Sequence, residues 1–184
     1  MDTTHPTTLE SLRNFFLART GDELVRAGSA LADGHENSDE WGDTDWEGAE
    51  FAYNRLFVGP KALEAPPYAS FYLESEPQLM GETTLNIRRI YEMAGLVSPL
   101  KGHLPDDHLG VELDAAVGLL DLVDRQKAEE PRILWQYFLE EHLGKWLPKF
   151  LNKARNADTG HPVIDLALNA LEAWLKDREM KKEG

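Results

Sequence analysis

Apolar residues recur at a spacing of three and four along nearly the whole chain, and that period limits what the chain can fold into. Leu9, Leu12, Phe15 and Phe16 keep it, as do Leu24, Ala27 and Leu31. Such a stripe lies on one face of an α-helix and cannot lie on one face of a strand. No run alternates with period two between turn signals, and neither an internal repeat nor a low-complexity tract interrupts the pattern. The expected fold class is therefore all-α: one domain over residues 1–184, a helical bundle with two long ordered loops.

Glycine, proline and capping residues mark where helices start and stop. Gly21-Asp22 separates the first two, and the acidic stretch Asp33 to Asp45 reads as a solvated loop. Thr44-Asp45-Trp46-Glu47 is a capping-box pattern that opens a helix carrying Phe51, Leu56 and Phe57, ended by Gly59-Pro60. Lys61 to Pro77 is the first long loop, expected to be ordered because Tyr68, Phe71 and Tyr72 are too apolar for a free linker. A helix over Gln78 to Met93 stops near Gly95, and Leu96 to Leu104 forms the second loop. Pro105 is expected to open the longest apolar helix, with Leu109, Leu113, Ala116, Val117, Leu120 and Val123 on one face. Pro131 suits the first turn of the next helix, a break is expected at Gly144 or Pro148, and Pro162 opens the last helix.

Composition excludes several functions. The chain of 184 residues contains no cysteine, which removes disulfides, thiolate metal sites and a cysteine nucleophile. A net charge of −14 repels a phosphate backbone, so no nucleic-acid partner is expected, and it attracts a basic peptide. The opening MDTTHPTTLESLRNFF lacks the basic and apolar regions of a signal peptide, and no stretch approaches a membrane span of about 20 apolar residues. A cytoplasmic protein without stable membrane insertion is the expectation.

Four constellations carry polar or aromatic chemistry. Tyr53, Leu56 and Phe57 fall at i, i+3 and i+4 and share a helix face, as a core stripe or as the wall of a groove. Pro66-Pro67-Tyr68-Ala69-Ser70-Phe71-Tyr72 combines a proline-fixed path with amphipathic rings, which suits either packing or peptide recognition. In Leu104-Pro105-Asp106-Asp107-His108, two carboxylates and an imidazole meet a helix start. They can cap the helix, or one can receive a guanidinium. His142 and Trp146, at i and i+4, read as a packed corner. Asp107, His108 and Glu112 would be a metal group, but no second histidine stands at ligand spacing, so no metal is expected. No nucleophile elbow, phosphate loop or dinucleotide fingerprint occurs, so no catalytic residue and no cofactor is assigned.

Taken in order, the segments YNRLF, PPYASFY, LPDDHLGVELD and HLGKWLPKF resemble the TorD/DmsD/NarJ family of redox-enzyme maturation chaperones over roughly Trp46 to Lys176. HLGKWLPKF is closer to the TorD/DmsD branch than to NarJ. The resemblance implies an all-α chaperone, not an enzyme, that binds the N-terminal twin-arginine leader of a molybdenum-cofactor enzyme's catalytic subunit in anaerobic respiration. It is compatible with a monomer or a domain-swapped dimer. Carried over by position, the peptide-binding residues are Tyr53, Leu56, Phe57, Pro67, Tyr68, Tyr72, Pro105, Asp106, Asp107 and His108. Leu104 stands where the family often has glutamate, so a ligand contact of that glutamate is either missing here or supplied by a neighbour such as Asp106. The alternatives are a small helical hydrolase or metal-binding enzyme, and a helical scaffold for other proteins.

Overall fold

The structure is a computed structural model that describes residues 7–33, 41, 43–76, 81–98 and 100–180, the side chains of 179 and 180 excepted. It is all-α, as the apolar period implies: among the described residues, extended pairing is limited to two isolated bridges, Tyr68 with His108 and Lys101 with Leu104. Most of the acidic stretch expected as a loop at 33–45, together with Pro77, Gln78 and Pro99, lies outside the described residues. No helix among the described residues is long and apolar enough to cross a membrane. The chain divides into two compact units, residues 1–66 with 151–184 and residues 67–150.

The first unit contains α1 (Thr8–Phe16), α2 (Gly21–Asp33), α3 (Trp46–Tyr53) with a π-helical extension (Asn54–Val58), and α9 (Pro162–Met180). Thr7 and Glu10 form a capping box at α1: Glu10 N–H donates to the Thr7 hydroxyl, and the Glu10 carboxylate accepts from Thr7 N–H at 2.8 Å. The expected Gly21-Asp22 break falls slightly earlier. Gly21 already opens α2, and Thr20 and Glu23 cap it reciprocally. Asp45, not Thr44, caps α3, accepting from Gly48 N–H at 3.0 Å.

α1, α2, α3 and α9 pack on one another, and Phe15, Leu24, Leu56, Val163 and Leu171 are among the side chains they bury. Gly28 permits a close approach of rings and helices: a methyl there would stand 2.8 Å from the Trp46 ring and 3.3 Å from Val163. The Tyr53 ring meets Phe15 and Phe57 edge-on at 5.5 Å from each. Its hydroxyl lies 3.0 Å from the Phe15 carbonyl and 3.3 Å from that of Ala18, so it satisfies the open C-terminal end of α1.

The second unit contains α4 (Ala69–Leu73), α5 (Glu82–Met93), α6 (Leu109–Gln126), α7 (Glu129–Tyr137), a π-helical turn (Phe138–Leu143) and the start of α8 (Gly144–Asn156). The first long loop thus holds a short helix. α6 begins at Leu109 rather than Pro105, because Pro105 to His108 turn back on themselves, His108 N–H donating to the Pro105 carbonyl at 3.1 Å. The break expected at Gly144 or Pro148 is a widening instead. The helix passes through the π turn and resumes as α8 with Pro148 inside it.

The packing of Tyr53, Leu56 and Phe57 predicts graded losses of stability. Tyr53→Phe keeps the ring and removes one buried hydrogen bond, costing about 1 kcal/mol. Leu56→Ala and Phe57→Ala open cavities and should each cost about 2–5 kcal/mol. Urea unfolding should show each loss as a lower midpoint at unchanged slope. A Phe57→Ala protein as stable as the parent would contradict this packing.

Candidate functional site

The candidate residues of the second unit gather where the Pro67–Tyr72 segment meets the start of α6. Two backbone hydrogen bonds join the segments: Ala69 N–H donates to the Asp107 carbonyl at 3.0 Å, and Leu109 N–H to the Pro67 carbonyl at 2.8 Å. The Asp107 carboxylate is buried and uses both oxygens, accepting from Ser70 N–H at 3.0 Å and from the Thr84 hydroxyl at 2.8 Å. One side chain therefore ties α4, α5 and the approach to α6 together. Asp106, also buried, accepts from Arg88 Nε at 2.7 Å, a guanidinium contributed by α5.

His108, rather than either aspartate, caps α6. Its Nδ1 accepts from Gly110 N–H at 3.1 Å, which leaves the proton of the neutral ring on Nε2. Burial pushes the imidazole down to about 4, against the opposing pull of Asp107. The Tyr68 ring stands edge-on to it at 5.1 Å. Burial, with Asp107 beside it, also raises the Tyr68 phenol. Tyr68, Tyr72 and Pro105 are half-buried, whereas Pro67, Asp106, Asp107 and His108 are buried. Tyr72 stacks on Trp146 at 5.7 Å and meets Phe150 edge-on at 6.2 Å.

Tyr53, Leu56 and Phe57 belong to the first unit, where all three are buried in its core. Next to them Arg55 pairs with Glu64 and donates to the carbonyls of Ala157 and Asp158.

The sequence does not single out a polar cluster beneath the junction. Glu112, fully buried on α6, has His142 Nε2 2.7 Å from one oxygen and accepts from Trp146 Nε1–H at 2.9 Å on the other. Burial pushes the Glu112 carboxyl up to about 7, with His142 opposing. The signal for this cluster was present: Glu112 interrupts the apolar face of α6, and His142 and Trp146 each need an acceptor. Glu112 thus serves His142 and Trp146 rather than a group with Asp107 and His108. Among the described residues no three His, Asp or Glu side chains are placed to hold a metal ion. Chemically, the junction offers part-exposed aromatic and proline surface on a fixed polar base.

The family model of the nitrate reductase delta subunit matches residues 7–152. The chain is 33% identical over 127 residues to a Tat proofreading chaperone DmsD of Salmonella typhi, covering 67% of this chain and 58% of that relative. It is 32% identical over 130 residues to a chaperone protein TorD of Psychrobacter, with the same coverage. The chain therefore spans less than two thirds of the length of these relatives. A crystal structure from Archaeoglobus fulgidus, named for redox enzyme maturation, superposes with a TM-score of 0.58 at 20% identity over 97% of this chain and 99% of that one, a likeness in fold.

The two perturbed groups predict opposite pH dependences. His108 titrates lower when folded than its ordinary 6.5, so its contribution is complete above about 6.5 and is lost as pH falls through 4. Glu112 titrates higher when folded than its ordinary 4.5, so its contribution is complete below 4.5 and is lost as pH rises through 7. Asn at 108 still caps but does not titrate. His108→Asn should therefore lose less stability than the parent between pH 6.5 and 4. Glu112→Gln should flatten the decline from 4.5 to 7. Melting curves across pH 4–8 that run parallel for parent and variants would refute both assignments.

Proposed function

We propose, from the premise that the chain belongs to the nitrate reductase delta subunit family, that it is a maturation chaperone for a molybdenum-cofactor redox enzyme. It binds the N-terminal twin-arginine leader of the catalytic subunit in the cytoplasm and catalyses no reaction itself. The observation that carries this reading is the family match, which spans residues 7–152 and so takes in the junction. The chaperone names of the relatives support it.

The physical chemistry is consistent. A twin-arginine leader joins two guanidinium cations to an apolar stretch. A chain of net charge −14 draws such a peptide in and speeds encounter, while apolar contact supplies most of the residence time. We assign the contacts to Tyr68, Tyr72 and Pro105, whose rings remain part-exposed. Pro67, Asp106, Asp107 and His108 hold that surface in shape, and Tyr53, Leu56 and Phe57 serve by packing the first unit.

Calorimetry with a synthetic twin-arginine leader tests the proposal. The parent should bind a cognate leader and melt at a higher temperature in its presence. Tyr68→Ala should weaken binding about ten-fold with little change in melting, and a leader with both arginines replaced by glutamine should associate more slowly and lose less affinity than that. No affinity for any leader encoded with a molybdoenzyme, together with turnover of a substrate, would replace this reading with an enzymatic one.

A further inference from the structure

α7 is a helix with an apolar side and no buried residue. Ile133 is 56% exposed and Tyr137 51%, and Met93 at the end of α5 is 66% exposed. These side chains stand together. Within the second unit, Met93, Leu119, Leu122, Ile133, Leu134 and Tyr137 are the main walls of a groove of about 750 Å³ between α5, α6 and α7. That is the volume of a ligand site rather than of a packing fault. Leaving this much apolar surface in water costs free energy, and the fold only half-buries Pro131, Leu134 and Trp135 of α7.

The charges around the groove identify its occupant. Glu130 is the one charged residue among the described lining residues. At about 100° per residue, Arg132 stands roughly 100° to 160° from each α7 residue that lines the groove, opposite the middle of that face. Arg125 of α6 is engaged by Asp121 at 2.7 Å, and Lys127, at the C-terminal cap of α6, does not line it. The groove is thus an apolar trough with a carboxylate near the α6–α7 turn, in a chain of net charge −14. Glu130 and Tyr137 are seven residues apart, about 10 Å along the helix, which accommodates roughly two turns of a ligand helix. A helix laid there would present apolar side chains at i, i+3, i+4 and i+7.

We propose that this groove takes the apolar stretch of the client's leader as a helix, with a leader arginine set against Glu130 at the α6–α7 turn. The inference rests on the leader-binding reading above and adds a second surface and a direction to it: the cationic end lies at the turn, and the apolar stretch runs along α7 toward Tyr137.

The test uses the full chain, a synthetic twin-arginine leader carrying its apolar stretch, and the same leader with its arginines replaced by glutamate. Ile133→Glu and Tyr137→Ser change exposed side chains, so both proteins should melt like the parent, and each should bind the leader at least ten-fold more weakly. Glu130→Lys should weaken binding of the arginine leader and strengthen binding of the glutamate leader. Glu76→Lys, the same charge change on an exposed loop residue, should do neither. If the parent binds the leader and the three groove variants bind it equally well, the groove assignment fails and the leader-binding reading stands. If the parent binds no leader, both fail. If Ile133→Glu instead turns a dimer into a monomer by light scattering without changing leader affinity, a second copy of the chain covers the groove and the proposal is overturned.

Discussion

The second unit depends on one buried carboxylate. Asp107 brings a negative charge out of water, and such a charge persists only where donors replace the lost hydration. Its two donors come from elsewhere in the chain, the backbone of Ser70 and the hydroxyl of Thr84. Satisfying the charge therefore sets the position of three segments at once. The loop cannot lift from α5, and the approach to α6 cannot shift, without leaving an acceptor bare at a cost of several kcal/mol. The paired backbone bonds between Pro67, Ala69, Asp107 and Leu109 then hold Tyr68 against His108. A surface built from loop residues is in this way as well fixed as one built on helices.

A second polar cluster sets the register of the long helix that runs through α7 and α8. Glu112 accepts from Trp146, and His142 lies against its other oxygen. His142 lies in the π turn, with its ring stacked on Phe138 at 5.7 Å, while Trp146 is in the first turn of α8. A π turn adds about one residue to a helical repeat and so rotates everything beyond it. Before the turn, α7 buries no side chain completely; from Phe138 onward the same continuous helix supplies Leu143, Trp146, Leu147 and Phe150 to the core. The change from exposed to buried thus coincides with the change in helical pitch. One polar anchor specifies that register where apolar contacts alone would tolerate a shift.

The fold class was legible because it depends on local period. The prolines at 131 and 162, the cap before α3 and the stop at Gly59-Pro60 could each be read within a few residues. What could not be read is where polar side chains of one segment find partners in another. Asp106 and Asp107 carried the pattern of helix caps or of an open guanidinium site. The structure gives the cap to His108 because Asp107 is bound to residues 37 and 23 positions away and Asp106 to Arg88. The same limit hid the pairing of Glu112 with His142, 30 residues apart. α6 opens four residues later than expected for a related reason: Pro105 can start a helix, but here it starts a turn that brings Asp107 to its donors.

This distribution of partners bears on how a cationic, apolar peptide of the proposed kind would be recognised. The carboxylates at the junction are buried and hydrogen-bonded within the fold, and Asp106 already holds a guanidinium of its own chain. An incoming arginine would have to displace Arg88 and desolvate twice, which returns little net free energy. The exposed carboxylates are cheap to approach but individually weak, about 1 kcal/mol or less each. Affinity must then come mainly from apolar contact, at roughly 25 cal/mol per Å² removed from water. Charge is left to govern approach and direction. A peptide held in this way would be bound by the shape of its apolar side and released without breaking a buried ion pair, which suits the proposed chaperone role.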